Sequence, residues 1–200
     1  MGLKPLVLIL VSAYLCLGTS CKRTRSKSDI DIEFTSDTLE VAYTYWWEES
    51  GPFIGYCGED YSLAFAGTIT DLENPTHDPG PLYTSQWGTI ALDRVFKINN
   101  PPSGGYENQK YFRSDCFNDL ELSVGDKVLV FCYEYEGGLS IPGDKSILKI
   151  GGMDHPLVKS IKNYIDADQD PLAIQKDSTL WGAYGFNDKL AQHIRCRQNH

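Results

Sequence analysis

The stretch VGDKVLVFCYEYEGGLS, residues 124–140, is the most regular pattern in the sequence. Val124-Gly125-Asp126 is typical of a turn, and the apolar and aromatic residues of Lys127–Glu136 predict the strongest strand of the chain. Gly137-Gly138 then predicts a hairpin that returns as a strand over Leu139–Ile150. The stretch therefore places antiparallel β-structure at the centre of the fold.

Alternating apolar and polar residues predict further strands before this hairpin. They cover Leu39–Tyr45, Tyr61–Leu72, Ser85–Ile98 and a short segment from Tyr111 to Cys116. Gly67, inside the second of these strands, indicates a bulge or a close approach of two backbones.

After Gly152 the apolar residues recur at helical spacing. Pro156 suits the first turn of a helix, and Asp170-Pro171 predicts the cap and first residue of a second, short helix. Asn187 is the predicted cap of a third helix. Strands followed by helices, without strand–helix alternation, predict a β-rich α+β fold and argue against a parallel nucleotide-binding sheet.

The N-terminus is typical of an exported protein. Leu3–Leu17 is apolar but shorter than the roughly 20 residues of a membrane span, so it predicts a secretory signal peptide. Cys21 follows small residues and resembles the acylated cysteine of bacterial lipoproteins, although Gly18 stands where that family usually has leucine. The alternative is ordinary cleavage after Ser20, which would release a secreted protein.

Charge divides the chain into two parts. The segment KRTRSK, residues 22–27, is a basic tether that would lie against anionic lipid head groups. From Ser28 onward 13 Lys and Arg face 27 Asp and Glu, a net charge of −14, which disfavours nucleic acid as a partner. We therefore expect a lipid-anchored protein of a bacterial cell envelope that faces the periplasm.

Four cysteines remain after Cys16 and Cys21: Cys57, Cys116, Cys132 and Cys196. In an exported protein four cysteines predict two disulfides, and three pairings are possible.

The order of several motifs points to a known module. Cys57 precedes F-x-G-x-I at 65–69, V-F-K follows at 95–97, and Cys116 precedes V-G-D-K-V-L-V-F at 124–131. Over about residues 55–150 this order resembles the netrin-like module, the OB-type barrel of the tissue inhibitors of metalloproteinases and of many bacterial lipoproteins.

The resemblance implies a five-stranded antiparallel OB-type barrel with the C-terminal helices packed on it. It also implies a Cys57–Cys116 disulfide, which leaves Cys132 to pair with Cys196. In the metalloproteinase inhibitors the first cysteine is the mature N-terminus and grips the catalytic zinc. Cys57 lies inside the chain, so its amide nitrogen cannot act in that way.

The predicted organisation has five segments in chain order. They are a signal peptide over 1–20, lipidated Cys21 with its tether over 21–36, a strand extension over 37–54, the netrin-like barrel over 55–152, and a helical extension over 153–200.

Motifs of catalysis or metal binding are sparse. The sequence contains no metalloprotease, nucleophile-elbow or phosphate-loop pattern, so we expect no enzyme. His193, Cys196 and His200 have the spacing of a weak metal cluster. Carboxylates at positions 1, 3, 5 and 12 of one loop resemble a calcium site, although proline replaces the usual glycine; they are Asp166, Asp168, Asp170 and Asp177.

The sequence favours a binding protein. Four aromatic residues in or beside predicted loops are the candidate binding residues: Trp46, Trp47, Tyr83 and Trp87. We expect the partner to be another protein or a polymer. The alternatives are an inhibitor or immunity protein against a secreted hydrolase, and a calcium-binding or enzymatic envelope protein.

Overall fold

A computed structural model describes residues 27–77 and 83–200, so the predicted signal peptide and Cys21 lie outside the described residues. Its strands are β1 Thr35–Glu40, β2 Ala42–Thr44, β3 Leu63–Leu72, β4 Gly88–Ile98, β5 Gln109–Ser114, β6 Lys127–Tyr135, β7 Gly138–Pro142 and β8 Ile147–Ile150. The α-helices are α1 Pro156–Asp166, α2 Ser178–Gly182 and α3 Asn187–Gln198, with 3-10 helices over Asp144–Ser146 and Pro171–Asp177. No helix in the described ranges is long and apolar enough to cross a membrane.

The strands form one mixed sheet that curls into a half-barrel. Its order is β1-β5-β4-β3-β6-β7-β2, and β8 pairs with β6 beside this path. The pairs β1–β5 and β2–β7 are parallel, and the others are antiparallel. β1 and β2 are the two edge strands, at opposite ends of the strand order, yet only Val41 separates them along the chain. Residues 35–44 therefore connect the two edges of the sheet.

The predicted β-rich α+β class is confirmed, but the predicted five-stranded OB barrel is wrong. β5 takes β1 as its outer neighbour and β7 takes β2, so the segment predicted as a strand extension belongs to the sheet itself. Alternation of side chains identifies a strand but not the strand that lies beside it, which is why the sequence did not reveal these pairings.

β6 is buried on both faces, which explains its uninterrupted apolar sequence. Val128, Val130 and Cys132 pack against side chains from the other strands. Leu129 and Phe131 point the opposite way and pack with the residues of the helical layer. The strand therefore separates two hydrophobic clusters and anchors the helices to the sheet.

The predicted hairpin after β6 is confirmed, but its turn is Glu136-Gly137 rather than the predicted Gly137-Gly138. The φ angles of Glu136 and Gly137, 50° and 80°, match a type I′ turn, whose twist suits a hairpin. The long strand predicted after this turn is divided, because β7 ends at Pro142 and β8 returns to pair with the first half of β6.

Gly67 fulfils its prediction of a bulge and a close approach. The β3–β4 register shifts between Ala66 and Gly67. A Cβ on Gly67 would lie 2.6 Å from the carbonyl oxygen of Ala91, which leaves no room for a side chain.

The helices begin close to their predicted starts. Pro156 lies in the first turn of α1, and the Asp170 side chain caps the second 3-10 helix by accepting from Leu172 N–H at 3.0 Å. Asn187 is the first residue of α3, whose cap is Phe186. Ser28 is buried and its N–H donates to Asp166, so the segment predicted as tether contains residues that pack against the domain.

Candidate functional site

The candidate site is a group of neighbouring aromatic rings at the end of β2. We call it the aromatic strip, and it comprises Tyr43, Tyr45, Trp46, Trp47, Tyr83 and Tyr135. Thr44 ends β2, and the chain then turns because Trp47 N–H donates to the Thr44 carbonyl at 3.2 Å. This turn brings Trp46 and Trp47 against Tyr135 at the end of β6.

The rings of the strip hold one another in place. Tyr45 stacks on Tyr83 with ring centroids 4.4 Å apart and meets Trp46 edge-on at 4.9 Å. The ring centroids of Trp46 and Trp47 lie 6.2 Å and 5.6 Å from that of Tyr135. These separations lie within the range of favourable aromatic pairs, so a ligand would meet rings that are already ordered.

The hydroxyls of Tyr43 and Tyr83 in the strip remain hydrogen-bond donors at neutral pH. Tyr83 Oη donates to Asp115 at 2.6 Å, and burial together with that hydrogen bond raises the pKa of Tyr83. Burial, reinforced by neighbouring acidic groups such as Asp115, raises the pKa of Tyr43 to about 12. The site therefore combines ring faces with neutral hydroxyl groups.

One open pocket within the strip combines rings with carboxylates. The Trp46 pocket has a volume of about 420 Å³ and is lined by Trp46, Trp47, Glu48, Glu49 and Tyr135. Trp46 is the most exposed of its rings, with 56% of its surface in contact with solvent. An exposed indole beside carboxylates can stack on a flat or cationic group of a ligand.

The two carboxylates of the Trp46 pocket differ in their partners. Glu49 pairs with Lys189 and accepts from Gly55 N–H. Burial works to raise the pKa of Glu49, but these hydrogen bonds outweigh it and lower the pKa. Glu48 is exposed, and no ion pair or hydrogen bond engages its carboxylate within the described residues. The pocket therefore carries one uncompensated negative charge.

The structure brings together three of the four predicted binding residues. Trp46, Trp47 and Tyr83 belong to the strip. Trp87 lies outside it, because the guanidinium of Arg113 covers its ring at 4.1 Å from the centroid. Trp87 lines a neighbouring groove together with Tyr43 and Tyr83 of the strip.

The structure does not gather the predicted calcium ligands into one site. Asp166 accepts from Ser28 N–H, Asp168 pairs with Lys27, and Asp170 caps the second 3-10 helix. Asp177 accepts from the Ser160 hydroxyl at 2.7 Å. The loop serves instead as a set of separate local contacts.

Cys57 is bonded to Cys196, so the pairing implied by the netrin-like resemblance is wrong. Cys116 and Cys132 are free and buried. Burial raises the pKa of Cys116 to about 12 and that of Cys132 well above its usual value, so both are inert thiols. Pairing depends on which side chains meet in space, which spacing along the chain does not reveal.

The predicted His193, Cys196 and His200 metal cluster is not formed. His200 does lie close to the sulfurs of Cys57 and Cys196, but these sulfurs are joined in the disulfide and supply no thiolate. His193 points inward and contacts the Gly55 carbonyl through Nε2 at 2.9 Å.

Two other histidines make hydrogen bonds to neutral groups. His77 Nδ1 contacts the Thr84 hydroxyl at 3.1 Å, and His155 Nδ1 accepts from Leu157 N–H at 3.3 Å. His155 also contacts the Tyr184 hydroxyl through Nε2 at 3.4 Å.

No family model matches the chain, and no curated protein matches it.

Sequence reasoning missed Tyr43, Tyr45, Tyr135 and Glu48 as members of the site. The signal for the first two was the dense aromatic run YTYWW at 43–47, which was interpreted as a strand followed by a loop. Tyr135 lies in the predicted strand over Lys127–Glu136, and it reaches the tryptophans only because β2 pairs with β7 and β7 pairs with β6.

Proposed function

We propose that this chain is a non-enzymatic, lipid-anchored protein of a bacterial cell envelope that captures another protein or a polymer through the aromatic strip. The observation that carries the proposal is the exposed Trp46, supported by ordered rings that the fold leaves at the surface. Large aromatic side chains that are partly exposed to solvent and partly packed against the protein are enriched at recognition surfaces.

The cell-envelope location rests on two features. The signal-like N-terminus with Cys21 supports export and anchoring. The Cys57–Cys196 disulfide is consistent with an oxidising compartment. The sequence motifs and their order still resemble the netrin-like module, but the proposal does not rely on the barrel fold of that module.

The proposal is tested by crosslinking capture of the tagged, full-length protein from its native envelope, followed by mass spectrometry. The decisive variant is Trp46→Ala, and Tyr56→Ala is its matched control, because Tyr56 is 74% exposed and belongs to no pocket of the strip. We expect the first variant to lose the dominant captured partner and the second to keep it, with unchanged melting temperatures.

Equal capture by wild type and Trp46→Ala would refute the strip as the binding surface. A fall in the melting temperature of Trp46→Ala would instead assign the indole to the fold.

A second candidate function is an inhibitor or immunity protein against a secreted hydrolase. The net charge of −14 from Ser28 onward favours it, because an acidic surface accelerates association with a basic enzyme. Binding that weakens steeply between low and physiological salt, together with inhibition of the captured hydrolase, would favour this candidate over a passive binding role.

A further inference from the structure

We propose that the Trp46 pocket binds a cationic side chain, lysine or arginine, that projects from a protein partner. This inference rests on the proposed function and names the chemistry of the partner. Three rings and one free carboxylate form the recognition site, and a second carboxylate is already engaged.

The rings that line the Trp46 pocket are inclined to one another rather than coplanar. The plane of Tyr135 makes an angle of 69° with Trp46 and 54° with Trp47. The exposed part of Trp46 offers a ring surface to the pocket. Each face carries the negative side of the ring quadrupole, which attracts a cation.

The carboxylates give the pocket its preference for positive charge. Glu49 is neutralised by Lys189 from α3, whereas Glu48 is exposed and unpaired within the described residues. A lysine or arginine would therefore meet both the ring faces and an uncompensated carboxylate. The combination provides a cation–π contact and an ion pair on the same group.

The net charge of the whole domain disfavours an anionic ligand. At −14 from Ser28 onward, the domain repels anionic polymers. A neutral glycan could stack on the rings but would leave Glu48 without a charged partner. Charge complementarity therefore favours a basic protein surface over a glycan.

The test uses the full-length protein and small probes in a titration followed by the indole N–H resonance of Trp47. The probes are the N-acetyl methylamides of lysine, of arginine and of norleucine, the last being an uncharged chain of similar length. We expect lysine and arginine to shift the resonance at millimolar concentrations and norleucine to bind several-fold more weakly.

Two variants test whether the Glu48 carboxylate and the Trp46 ring bind the cation. Glu48→Gln is expected to weaken lysine binding about twofold to fivefold, and Trp46→Ala by a similar factor. Glu121→Gln is the matched control, because it removes an exposed carboxylate from the loop before β6. Glu121 is not among the residues that line the Trp46 pocket, and Tyr135 lies at the far end of that nine-residue strand, which spans about 25 Å. We expect this control to bind lysine like the wild type.

Equal binding of norleucine and lysine would overturn the inference, as would equal losses in Glu48→Gln and Glu121→Gln. Its failure can be told apart from that of the proposed function. If Trp46→Ala loses its envelope partner but the cationic probes do not bind, the strip is a binding site for another class of partner, such as a glycan. If partner capture survives Trp46→Ala, the proposed function itself fails.

Discussion

His193 is a neutral imidazole enclosed in the helical layer. It is fully buried, its Nε2 lies 2.9 Å from the Gly55 carbonyl, and its ring packs edge-on against Phe53. The carbonyl requires Nε2 to carry the proton, so Nδ1 is the unprotonated nitrogen. Nδ1 has no hydrogen-bond partner among the described residues. A second proton on this ring would therefore be buried without an acceptor.

This arrangement predicts a loss of stability at mildly acidic pH. Burial lowers the pKa of His193 below its usual value, and Lys189 nearby acts in the same direction, against the opposing effects of the Gly55 carbonyl and Glu49. Below about pH 6.5 the His193 side chain binds a proton in the unfolded chain but not in the folded chain. The free energy of unfolding therefore falls as the pH drops toward the folded pKa of His193. The steepest loss is about 1.4 kcal/mol per pH unit.

Urea denaturation at pH 8, 7, 6 and 5 measures this effect. His193→Gln is the comparison, since it keeps an N–H for the Gly55 carbonyl and cannot titrate. We expect the free energy of unfolding to decline over this range in the wild type and to stay nearly level in the variant. The lowered pKa of Glu49 affects stability only as the pH falls through the usual carboxylate range and below it, mostly under about pH 5, so it contributes little to this comparison. Parallel curves for the two proteins would contradict the role of His193.

At the scale of elements, the disulfide fixes α3 to the loop ahead of β3. Cys57 lies in that loop and Cys196 in the last turn of α3, a separation of 139 positions along the chain. A crosslink over so long a loop restricts the unfolded chain strongly. We expect Cys196→Ser to lower the free energy of unfolding by about 2–4 kcal/mol in urea titrations. Cys57→Ser and the double variant should lose the same amount, since all three remove one bond.

Thiol alkylation distinguishes the disulfide from the pairing that the sequence motifs implied. In denaturant without reductant, Cys116 and Cys132 should be alkylated while a peptide containing Cys57 remains joined to one containing Cys196. In native buffer the same two thiols should resist alkylation, because both are buried. A peptide that joins Cys57 to Cys116 would restore the earlier expectation.

The elements show what the sequence can and cannot predict. β6 was predictable because both of its faces are buried and every residue from Val128 to Tyr133 is therefore apolar or aromatic. The parallel partners of β1 and β2 were not predictable, because they come from residues about 70 to 100 positions further along the chain. The tryptophans of the site were visible as residues, but Tyr135 joined them only through the pairing of strands.

At the scale of the whole molecule, a basic N-terminal segment precedes a strongly acidic domain. KRTRSK ends at Lys27, which pairs with Asp168, and Lys162 pairs with Asp29 at 2.7 Å. These contacts place the start of the domain beside α1 and the loop that follows it. An anchor at Cys21 would therefore attach the molecule through its helical side, only six residues before the first described residue.

The anchor itself is testable by detergent phase partitioning of the full chain expressed in a bacterial host. If Cys21 is acylated, the wild-type protein should enter the detergent phase and carry the mass of attached acyl chains. Cys21→Ala should move the protein to the aqueous phase while the Cys57–Cys196 disulfide stays intact, because neither of its cysteines is changed. Cys16→Ala is the matched control: Cys16 lies inside the apolar run that signal cleavage would remove, so this variant should partition like the wild type. Wild-type protein in the aqueous phase would instead support cleavage after Ser20 and a secreted protein. In that case the basic tether would have to act without a lipid, which gives only weak and salt-sensitive attachment to anionic membranes.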